Sequence, residues 1–394
     1  MSDCYTFDTR LLHNKHKIDP TTGGVSVPIQ HASTFHQHSV DHFGKYDYSR
    51  SLNPTRDALE EIIAELEGWT RGFAFSSGMA AISTAFLLFS QGDHIVVTED
   101  VYGGSYRMVT QVLNRFGIEH TFVDMTDLDA VEKAIKPNTR LLYVETPSNP
   151  LLKVTDIQAI SKLAKLHGAY TFVDNTFMTP YLQRPLELGA DLVLHSATKF
   201  LSGHSDTVAG LAVVKNEELG NKLYSLQNSF GAILGVQDAW LVMRGIKTLS
   251  VRMNQSQGSA VKIAHFLKNK PSVKNVYYPG LSEHPQYNVQ RQQAEGPGAV
   301  LSFELENAEQ LKRFIENLKL PVFAVSLGAV ESIISYPAKM SHAAMPEDER
   351  KKRGISDGLL RLSVGLENVD DLIRDFEQAL LCVNKEITYK EAVK

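Results

Sequence analysis

The chain has 394 residues, of which 43% are hydrophobic and 22% are charged, and its formal net charge at pH 7 is −5. This composition is that of a globular protein long enough for two domains, so it excludes an extended disordered chain and a small disulfide-stapled fold. The weak negative charge provides no basic surface for a nucleic acid or an anionic membrane. We therefore expect a small-molecule ligand, with no nucleic-acid and no membrane partner.

The sequence carries few signs of export or membrane insertion. Its two cysteines, Cys4 and Cys382, lie near opposite ends and form no disulfide framework, which fits a reducing compartment. The longest apolar stretch, residues 79–89, is much shorter than the roughly 20 residues of a membrane-spanning helix. The N-terminus lacks an apolar core followed by a small-residue cleavage site. These features predict a cytoplasmic protein.

The first 53 residues are polar, rich in turn formers and without strong periodicity, so we expect an arm that lies on another surface. A helix should follow, because Asn53 can cap it and Pro54 suits its first position. Apolar residues then recur at helical spacing until Gly68, which can end the helix.

Apolar, β-branched or aromatic runs alternate with helical runs as far as residue 235, and this order predicts an α/β domain with a mostly parallel sheet. Ligands of such sheets bind outside the carboxyl ends of the strands, so the residues after each run are the candidates for a site. The predicted strands are residues 73–75, 95–98, 141–144, 171–173 and 192–194.

The rest of the chain predicts a smaller α+β domain. Residues 236–267 have few helix breakers and should form one or two long helices near the boundary. Farther on, Leu301, Phe303 and Leu305 alternate with polar residues, as in a strand with one face covered. We divide the chain into an arm of residues 1–53, a domain of residues 54–250 and a C-terminal domain of residues 251–394.

The most informative segment is DLVLHSATKFLSGHSD, residues 191–206, where a strand leads into hydroxyls, a lysine and a glycine turn. Ser196 and Thr198 can donate hydrogen bonds to phosphate oxygens. Partial burial at the strand end would lower the pKa of Lys199 and give a nucleophilic amine. The alternative is a solvated lysine after a strand.

Other strand ends offer matching groups, each with a structural alternative. Asp174 can pair with a protonated ring nitrogen, or can merely form a turn. The backbone N–H groups of Gly78 and Met79 can bind a phosphate at a helix N-terminus, although capping by a serine explains the same letters. Tyr102 can stack on a flat heteroaromatic ring, or can be an ordinary core or surface tyrosine.

Arg361, in LLRLSV, can bind a carboxylate through two parallel hydrogen bonds, unless it lies on the exposed face of a strand. The histidines near the N-terminus have neither nearby cysteines nor HExxH spacing, so we expect no metal site. Dinucleotide, P-loop and GxSxG motifs are absent from the sequence.

The motifs YSRSLNPT, SSGMAA, DVYGGS, ETPSNP, VDNTF, HSATKFLSGHSD, SLGAVES and LLRLSVGLE occur in order over about residues 20–378. Together they resemble the cystathionine γ-synthase-like family of pyridoxal 5′-phosphate (PLP) enzymes that act on sulfur amino acids. The resemblance implies the fold-type I architecture, with a large PLP-binding domain, a small C-terminal domain and a homotetramer of two catalytic dimers.

Carried onto matching positions, the resemblance implies that Lys199 binds PLP covalently, Asp174 holds the ring nitrogen and Tyr102 stacks on the ring. The phosphate would be bound by Gly78, Met79, Ser196 and Thr198, and by Tyr48 and Arg50 of the neighbouring subunit. Arg361, with Asn149 and the backbone around Ser326, would hold the substrate carboxylate.

Within the family the bacterial cystathionine β-lyases are most similar, which implies cleavage of L-cystathionine to homocysteine, pyruvate and ammonia in methionine biosynthesis. Lys199 would be the general base, and Lys199 or Tyr102 would protonate the leaving thiol. Val325 stands where members that act at Cγ often carry a glutamate, and Gly104 where methionine γ-lyases have cysteine. Cystathionine γ-lyase, cystathionine γ-synthase and a non-catalytic PLP-binding protein remain alternatives.

Overall fold

A computed structural model describes residues 5–16, 18–69 and 71–383. Cys4 therefore lies outside the described residues, and Cys382 is a free, partly buried thiol. Over the described ranges, no helix combines the length and apolar character required to cross a bilayer.

The larger of two β-sheets has seven strands in the order β1-β7-β6-β5-β4-β2-β3. All neighbouring strands pair in parallel except β7, which is antiparallel to β1 and to β6. The strands are β1 (Arg71–Phe75), β2 (His94–Thr98), β3 (Glu119–Val123), β4 (Thr139–Glu145), β5 (Tyr170–Asp174), β6 (Leu192–Ser196) and β7 (Gly210–Val214). The predicted α/β class with a mostly parallel sheet is confirmed. The sequence analysis found five of these strands and missed β3 and β7.

Helices cover both faces of this sheet, because alternate strand residues point to opposite sides. Leu142 and Val144 belong to the core on one face, whereas Leu141 and Tyr143 belong to the core on the other. The helices of this part of the chain are α1 (Phe7–Leu12), α2 (Pro54–Leu66), α3 (Gly78–Phe86), α4 (Gly103–Arg107), α5 (Leu128–Ala134), α6 (Ile157–Leu166), α7 (Thr179–Leu182), α8 (Glu217–Phe230) and α9 (Val236–Ile246).

The predicted first long helix is confirmed as α2. The side chain of Asn53 accepts a hydrogen bond from the backbone N–H of Thr55, and Pro54 occupies the first position. Gly68 follows the helix with φ +78°, a left-handed conformation that glycine adopts without a steric penalty.

The second sheet has five strands in the order β10-β11-β12-β9-β8. The strands are β8 (Asn275–Tyr277), β9 (Val300–Glu304), β10 (Val322–Phe323), β11 (Ile333–Ser335) and β12 (Leu359–Ser363). Its helices are α10 (Leu249–Lys268), α11 (Tyr287–Gln293), α12 (Ala308–Asn317), α13 (Glu347–Lys352) and α14 (Val369–Leu380).

The expectation that β9 has only one covered face is wrong. Ser302 and Glu304, on its polar face, are buried as well. Ser302 donates a hydrogen bond of 2.6 Å to the backbone oxygen of Pro150, in the loop after β4. Ser302 therefore contacts a loop of the larger sheet, whereas Glu304 accepts hydrogen bonds from Asn275 and Tyr277 of the neighbouring strand β8.

Helix α10 connects the two halves of the chain. Leu249 and Met253 pack in a core of the larger sheet, whereas Ile263 and Leu267 pack in the core of the smaller one. The division at residue 250 stays a prediction, as does the role of residues 1–53 as an arm. Within the arm, the side chains of Val40 and Phe43 are largely exposed.

A buried arginine of α10 fixes the turn that follows β6. Arg252 donates hydrogen bonds of 2.6 Å to the backbone oxygen of Phe200 and 2.8 Å to that of Gly245. Gly245, in α9, lies so close that an added Cβ would overlap the backbone carbonyl of Ser202. Close backbone packing and one buried guanidinium thus hold the turn in place.

We expect Gly245→Ala to lower the free energy of unfolding by about 1–3 kcal/mol, because the new methyl group has no space beside Ser202. Chemical denaturation measures the change. The matched control is Gly258→Ala in the exposed part of α10, where an added Cβ meets no atom within 4 Å. The control should leave stability unchanged or raise it by up to about 1 kcal/mol. Equal losses in both variants would contradict the packing argument.

Candidate active site

A cavity of about 450 Å³ opens at the carboxyl ends of the central strands of the larger sheet and is closed on one side by β12 and the loop before β11. Ten of the twelve predicted site residues line it, which is the position expected for a ligand of an open α/β sheet. These residues are Gly78, Met79, Tyr102, Asn149, Asp174, Ser196, Thr198, Lys199, Ser326 and Arg361.

Lys199 lies in the turn after β6 and is largely buried. Its Nζ donates a hydrogen bond of 2.5 Å to Oγ of Ser326. Burial, reinforced by the nearby guanidinium of Arg361, lowers the pKa of Lys199 to about 8. The alternative of a solvated surface lysine is therefore wrong, and near neutral pH a larger fraction of this amine is uncharged and nucleophilic than of an ordinary lysine.

Arg361 is 3% exposed, so the alternative of an arginine on an outer strand face is wrong as well. Nη1 donates to Oδ1 of Asn149 at 2.9 Å, and Nη2 donates to the backbone oxygen of Ser326 at 2.8 Å. Nε has no hydrogen-bond partner among the described residues. Because its neighbours are neutral oxygens, Arg361 keeps an uncompensated positive charge that suits an incoming carboxylate.

Ser326 connects the two cations, since its hydroxyl accepts from Lys199 and its carbonyl oxygen accepts from Arg361. Its backbone has φ +86°, which is uncommon for a residue with a side chain. The left-handed conformation places its hydroxyl and carbonyl toward the same cavity.

Asp174 ends β5, is 7% exposed and faces the cavity. One carboxylate oxygen accepts from the backbone N–H of Thr176 at 3.0 Å and from its hydroxyl at 2.5 Å. The other lies 3.4 Å from the hydroxyl of Tyr143. Burial raises the pKa of Asp174. The turn interpretation is correct, and the same residue is also available to a ligand.

The N-terminus of α3 meets the turn after β6. Ser77 caps the helix by accepting from the backbone N–H of Ala80 at 3.0 Å, so the capping alternative is correct. An added Cβ at Gly78 would lie 2.8 Å from Cβ of Ser196. Only glycine allows this approach, which brings the first backbone N–H groups of the helix and Ser196 to one side of the cavity.

The hydroxyl of Thr198 has partners within the protein. It donates to the backbone oxygen of Ala209 at 3.2 Å and accepts from the backbone N–H of Ala209 at 3.0 Å. Its predicted bond to a phosphate stays a prediction.

Tyr102 precedes α4, is 38% exposed and lines the cavity. An added Cβ at Gly104 would lie 2.5 Å from the Tyr102 ring and 2.6 Å from Sδ of Met79. A larger residue at position 104 would therefore push the ring away from its present place.

Tyr48 and Arg50 do not line this cavity. Arg50 donates through Nη1 to the backbone oxygen and to Oδ1 of Asn228, each at 2.7 Å, and its guanidinium lies 5.6 Å from the centre of the Tyr48 ring. Both side chains are exposed. Within one chain they are separate from the other ten residues, and a role in a neighbouring subunit's site stays a prediction.

Glu145 was missed by the sequence analysis, although it lies in the quoted motif ETPSNP. It ends β4 directly beside Asp174 in the strand register, is 5% exposed and lines the cavity. Its position was open to prediction, because it follows a predicted strand as Asp174 does. In the described ranges, no group of three or more histidine, cysteine or acidic side chains is placed to hold a metal ion.

These residues fit PLP. The cavity offers an amine of lowered pKa for the aldehyde and a buried carboxylate for the ring nitrogen. For the phosphate it offers the N-terminus of α3, which can lie close to Ser196 because position 78 is a glycine. A sequence model described as Cys/Met metabolism PLP-dependent enzyme matches residues 8–381. The chain belongs to this PLP-dependent family.

Members of the family are similar over nearly the whole chain. "Cystathionine beta-lyase MetC" of Bacillus subtilis (strain 168) is 69% identical over 95% of this chain and 96% of the relative. "Cystathionine gamma-lyase" of the same strain is 54% identical over 94% and 98%. The solved structure of a cystathionine gamma-lyase from Lactobacillus plantarum, complexed with L-serine, is 49% identical with a TM-score of 0.94, and covers 97% of this chain and 100% of its own. Fold-type I architecture and the PLP cofactor, both expected from the motifs, are thereby confirmed.

The lowered pKa of Lys199 predicts how this amine reacts in the cofactor-free protein. At pH 8 about half of it is uncharged, against less than about 1% for a lysine with the ordinary pKa of about 10.4. The folded protein is treated with a limiting amount of an amine-reactive acylating reagent, and the peptide that contains Lys199 is then quantified by mass spectrometry. The rate of Lys199 acylation should reach half its maximum near pH 8. In Arg361→Leu the midpoint should move upward, because loss of a nearby cation favours the protonated amine. A wild-type midpoint near pH 10 would contradict the account.

Proposed function

We propose that the protein is a cystathionine β-lyase, which converts L-cystathionine and water to homocysteine, pyruvate and ammonia. The observation that carries the proposal is the 69% identity, over 95% of the chain, to a relative named for this activity. The cavity supports it chemically, since it holds a largely buried amine of lowered pKa beside a buried guanidinium whose hydrogen bonds go to the neutral oxygens of Asn149 and Ser326.

Each side chain has a place in the proposed reaction. Arg361 and Asn149 bind the α-carboxylate, which orients the substrate so that its Cα–H bond faces Lys199. PLP, when bound, supplies an electron sink that stabilises negative charge at Cα. Lys199 removes the Cα proton, and its pKa of about 8 suits a general base near neutral pH. Lys199 or Tyr102 then protonates the departing sulfur.

The remaining proposed contacts hold the cofactor. Asp174 would hold the ring nitrogen and Tyr102 would stack on the ring, while the backbone of Gly78 and Met79 at the start of α3 would bind the phosphate. Ser196 and Thr198 complete the phosphate contacts from the turn after β6. The spatial grouping of these residues around one cavity supports the assignment.

Cystathionine γ-lyase is the second candidate, because a relative with that name is 54% identical to the chain. One residue of the cavity favours the β-lyase. Val325, which lines the cavity, has no carboxylate to engage the distal amino group of a long substrate. Gly104 counts against a different activity, that of methionine γ-lyases, which have cysteine at this position.

We also propose a cytoplasmic homotetramer made of two catalytic dimers, with Tyr48 and Arg50 reaching the phosphate of the neighbouring subunit. Their exposure outside the cavity of their own chain supports this arrangement. So do the exposed apolar side chains of the same segment, Val40 and Phe43, which a partner surface would cover.

Incubation of the PLP-loaded protein with L-cystathionine tests the proposed reaction. We expect pyruvate and homocysteine in equal amounts from the wild type, identified by mass spectrometry. Lys199→Ala should release neither, because it lacks both the attachment point and the general base. Release of 2-oxobutyrate and cysteine would instead make the protein a γ-lyase, and turnover by Lys199→Ala would refute the role of this lysine.

Subunit mixing tests the shared site. Arg50→Ala and Lys199→Ala should each be strongly impaired alone, but a mixed dimer contains one site with both changes and one with neither. Random exchange of equal amounts should therefore restore about 25% of the wild-type sites. Arg71→Ala is the matched control, because Arg71 also bonds an asparagine of α8, Asn221, at 2.6 Å. That variant should stay active alone and gain nothing on mixing. No recovery with Arg50→Ala would contradict a site shared between subunits.

A further inference from the structure

Glu145 is a buried acid of the cavity that the proposed reaction leaves without a role. We propose that it is a positioning residue: in its uncharged form its carboxyl group holds the backbone of Tyr102, and it leaves Asp174 and Arg361 to the cofactor and the substrate. The proposal rests on the proposed function insofar as Tyr102 is taken to stack on PLP.

The contact with Tyr102 is direct. Oε2 of Glu145 accepts a hydrogen bond of 2.9 Å from the backbone N–H of Tyr102. This is the residue that leads into α4, and Gly103 behind it lies so close to the carbonyl of Ser341 that an added Cβ would overlap it. Tyr102 is therefore held on one side by Glu145 and on the other by the loop around residue 341.

The strand register places two carboxyl groups side by side. Glu145 and Asp174 are the last residues of β4 and β5 and are paired in the parallel ladder. Neighbouring strands lie about 4.8 Å apart, and both residues are buried. Two ionised carboxylates at this spacing would repel each other strongly in a medium of low dielectric constant, so one of the pair is expected to keep its proton.

The partners of the two acids indicate which one keeps it. Asp174 accepts two hydrogen bonds from Thr176, whereas the carboxyl group of Glu145 accepts one from a neutral backbone N–H, that of Tyr102. Charged groups face Glu145 from several elements: Asp174 of β5, Asp100 of the loop after β2, and Arg361 of β12. Burial, followed by the charge of Asp174, raises the pKa of Glu145 well above its ordinary value, and the favourable charge of Arg361 has a smaller effect.

An uncharged Glu145 has two consequences for the site. Arg361 directs its Nη groups to Asn149 and Ser326, and without a resident carboxylate it keeps its charge for the substrate. Asp174 likewise stays the one ionised carboxylate at the ends of β4 and β5, beside the position proposed for the ring nitrogen. A charged Glu145 would compete with the substrate for Arg361 and repel Asp174.

Glutamine tests the proposal because it keeps the shape and the acceptor oxygen but cannot carry a charge. We expect Glu145→Gln to keep the dissociation constant of PLP, measured by titration of the cofactor-free protein, within about threefold of wild type. The visible spectrum of the bound cofactor and the KM should also be retained. Glu145→Ala should weaken PLP binding by about tenfold, the loss expected for one buried hydrogen bond, and should shift the spectrum. A Glu145→Gln variant as impaired as Glu145→Ala would overturn the proposal, and so would a Glu145→Ala variant that binds PLP like wild type.

Two further variants separate positioning from general stability. If Glu145 acts through Tyr102, the Glu145→Ala/Tyr102→Ala double variant should bind PLP no more weakly than Tyr102→Ala, whereas additive losses would contradict this route. Glu60→Ala is the matched control. Glu60 is also a buried glutamate that accepts one backbone N–H, from Ala74 at 2.9 Å, and burial raises its pKa to about 7. It lies outside the cavity, so its removal should lower thermal stability and leave PLP affinity and spectrum unchanged.

These readouts distinguish the proposal from the proposed function. The PLP titration and the spectrum use no substrate, so they test Glu145 even if the wild type fails to cleave cystathionine. If Glu145→Ala does not fold, the Glu145→Gln variant decides alone. A PLP affinity and spectrum like those of the wild type in that variant support an uncharged acceptor at position 145, and their loss refutes the proposal.

Discussion

Lys199 and Arg361 are two basic groups that dominate the active-site cavity, and neither bonds a carboxylate in the part of the chain that the structure describes. Lys199 and Arg361 contact opposite ends of the same residue, Ser326, through its hydroxyl and its carbonyl oxygen. Burial lowers the pKa of Lys199 and the nearby positive charge of Arg361 lowers it further, so Lys199 loses its proton more readily. Arg361 keeps an unmet demand for an anion. One arrangement thus provides the base and the carboxylate receptor of the proposed reaction, and the rest of the fold must hold it together against its electrostatic cost.

Both sheets contribute to that restraint. The larger sheet provides Lys199 from the turn after β6, and Arg252 and Gly245 hold this turn from α10 and α9. The smaller sheet provides Arg361 from the middle of β12, where both neighbouring strands fix its backbone. The site therefore lies at the contact between two cores, and α10 packs in each of them.

Much of the fold and site could be predicted because local sequence determines it. Strand runs followed by polar residues predicted the sheet, the ligand-binding edge and the positions of Asp174 and Lys199. Strand β3 escaped because it is a partly exposed edge strand, and β7 because it begins at Gly210 directly after a loop. The burial of Arg361 could not be read from LLRLSV, since an alternating strand has the same letters whether its polar face meets solvent or another sheet. The role proposed for Glu145 depends on the register of β4 with β5, which is a long-range property.

Attachment of the cofactor to Lys199 is the central claim, and one experiment tests it directly. The PLP-loaded protein is treated with borohydride, digested and mapped by mass spectrometry. The account predicts a single modified lysine, at position 199, and no modified lysine in a variant in which Lys199 is replaced. Modification of a different lysine, or stable PLP binding that leaves Lys199 unmodified after reduction, would contradict it.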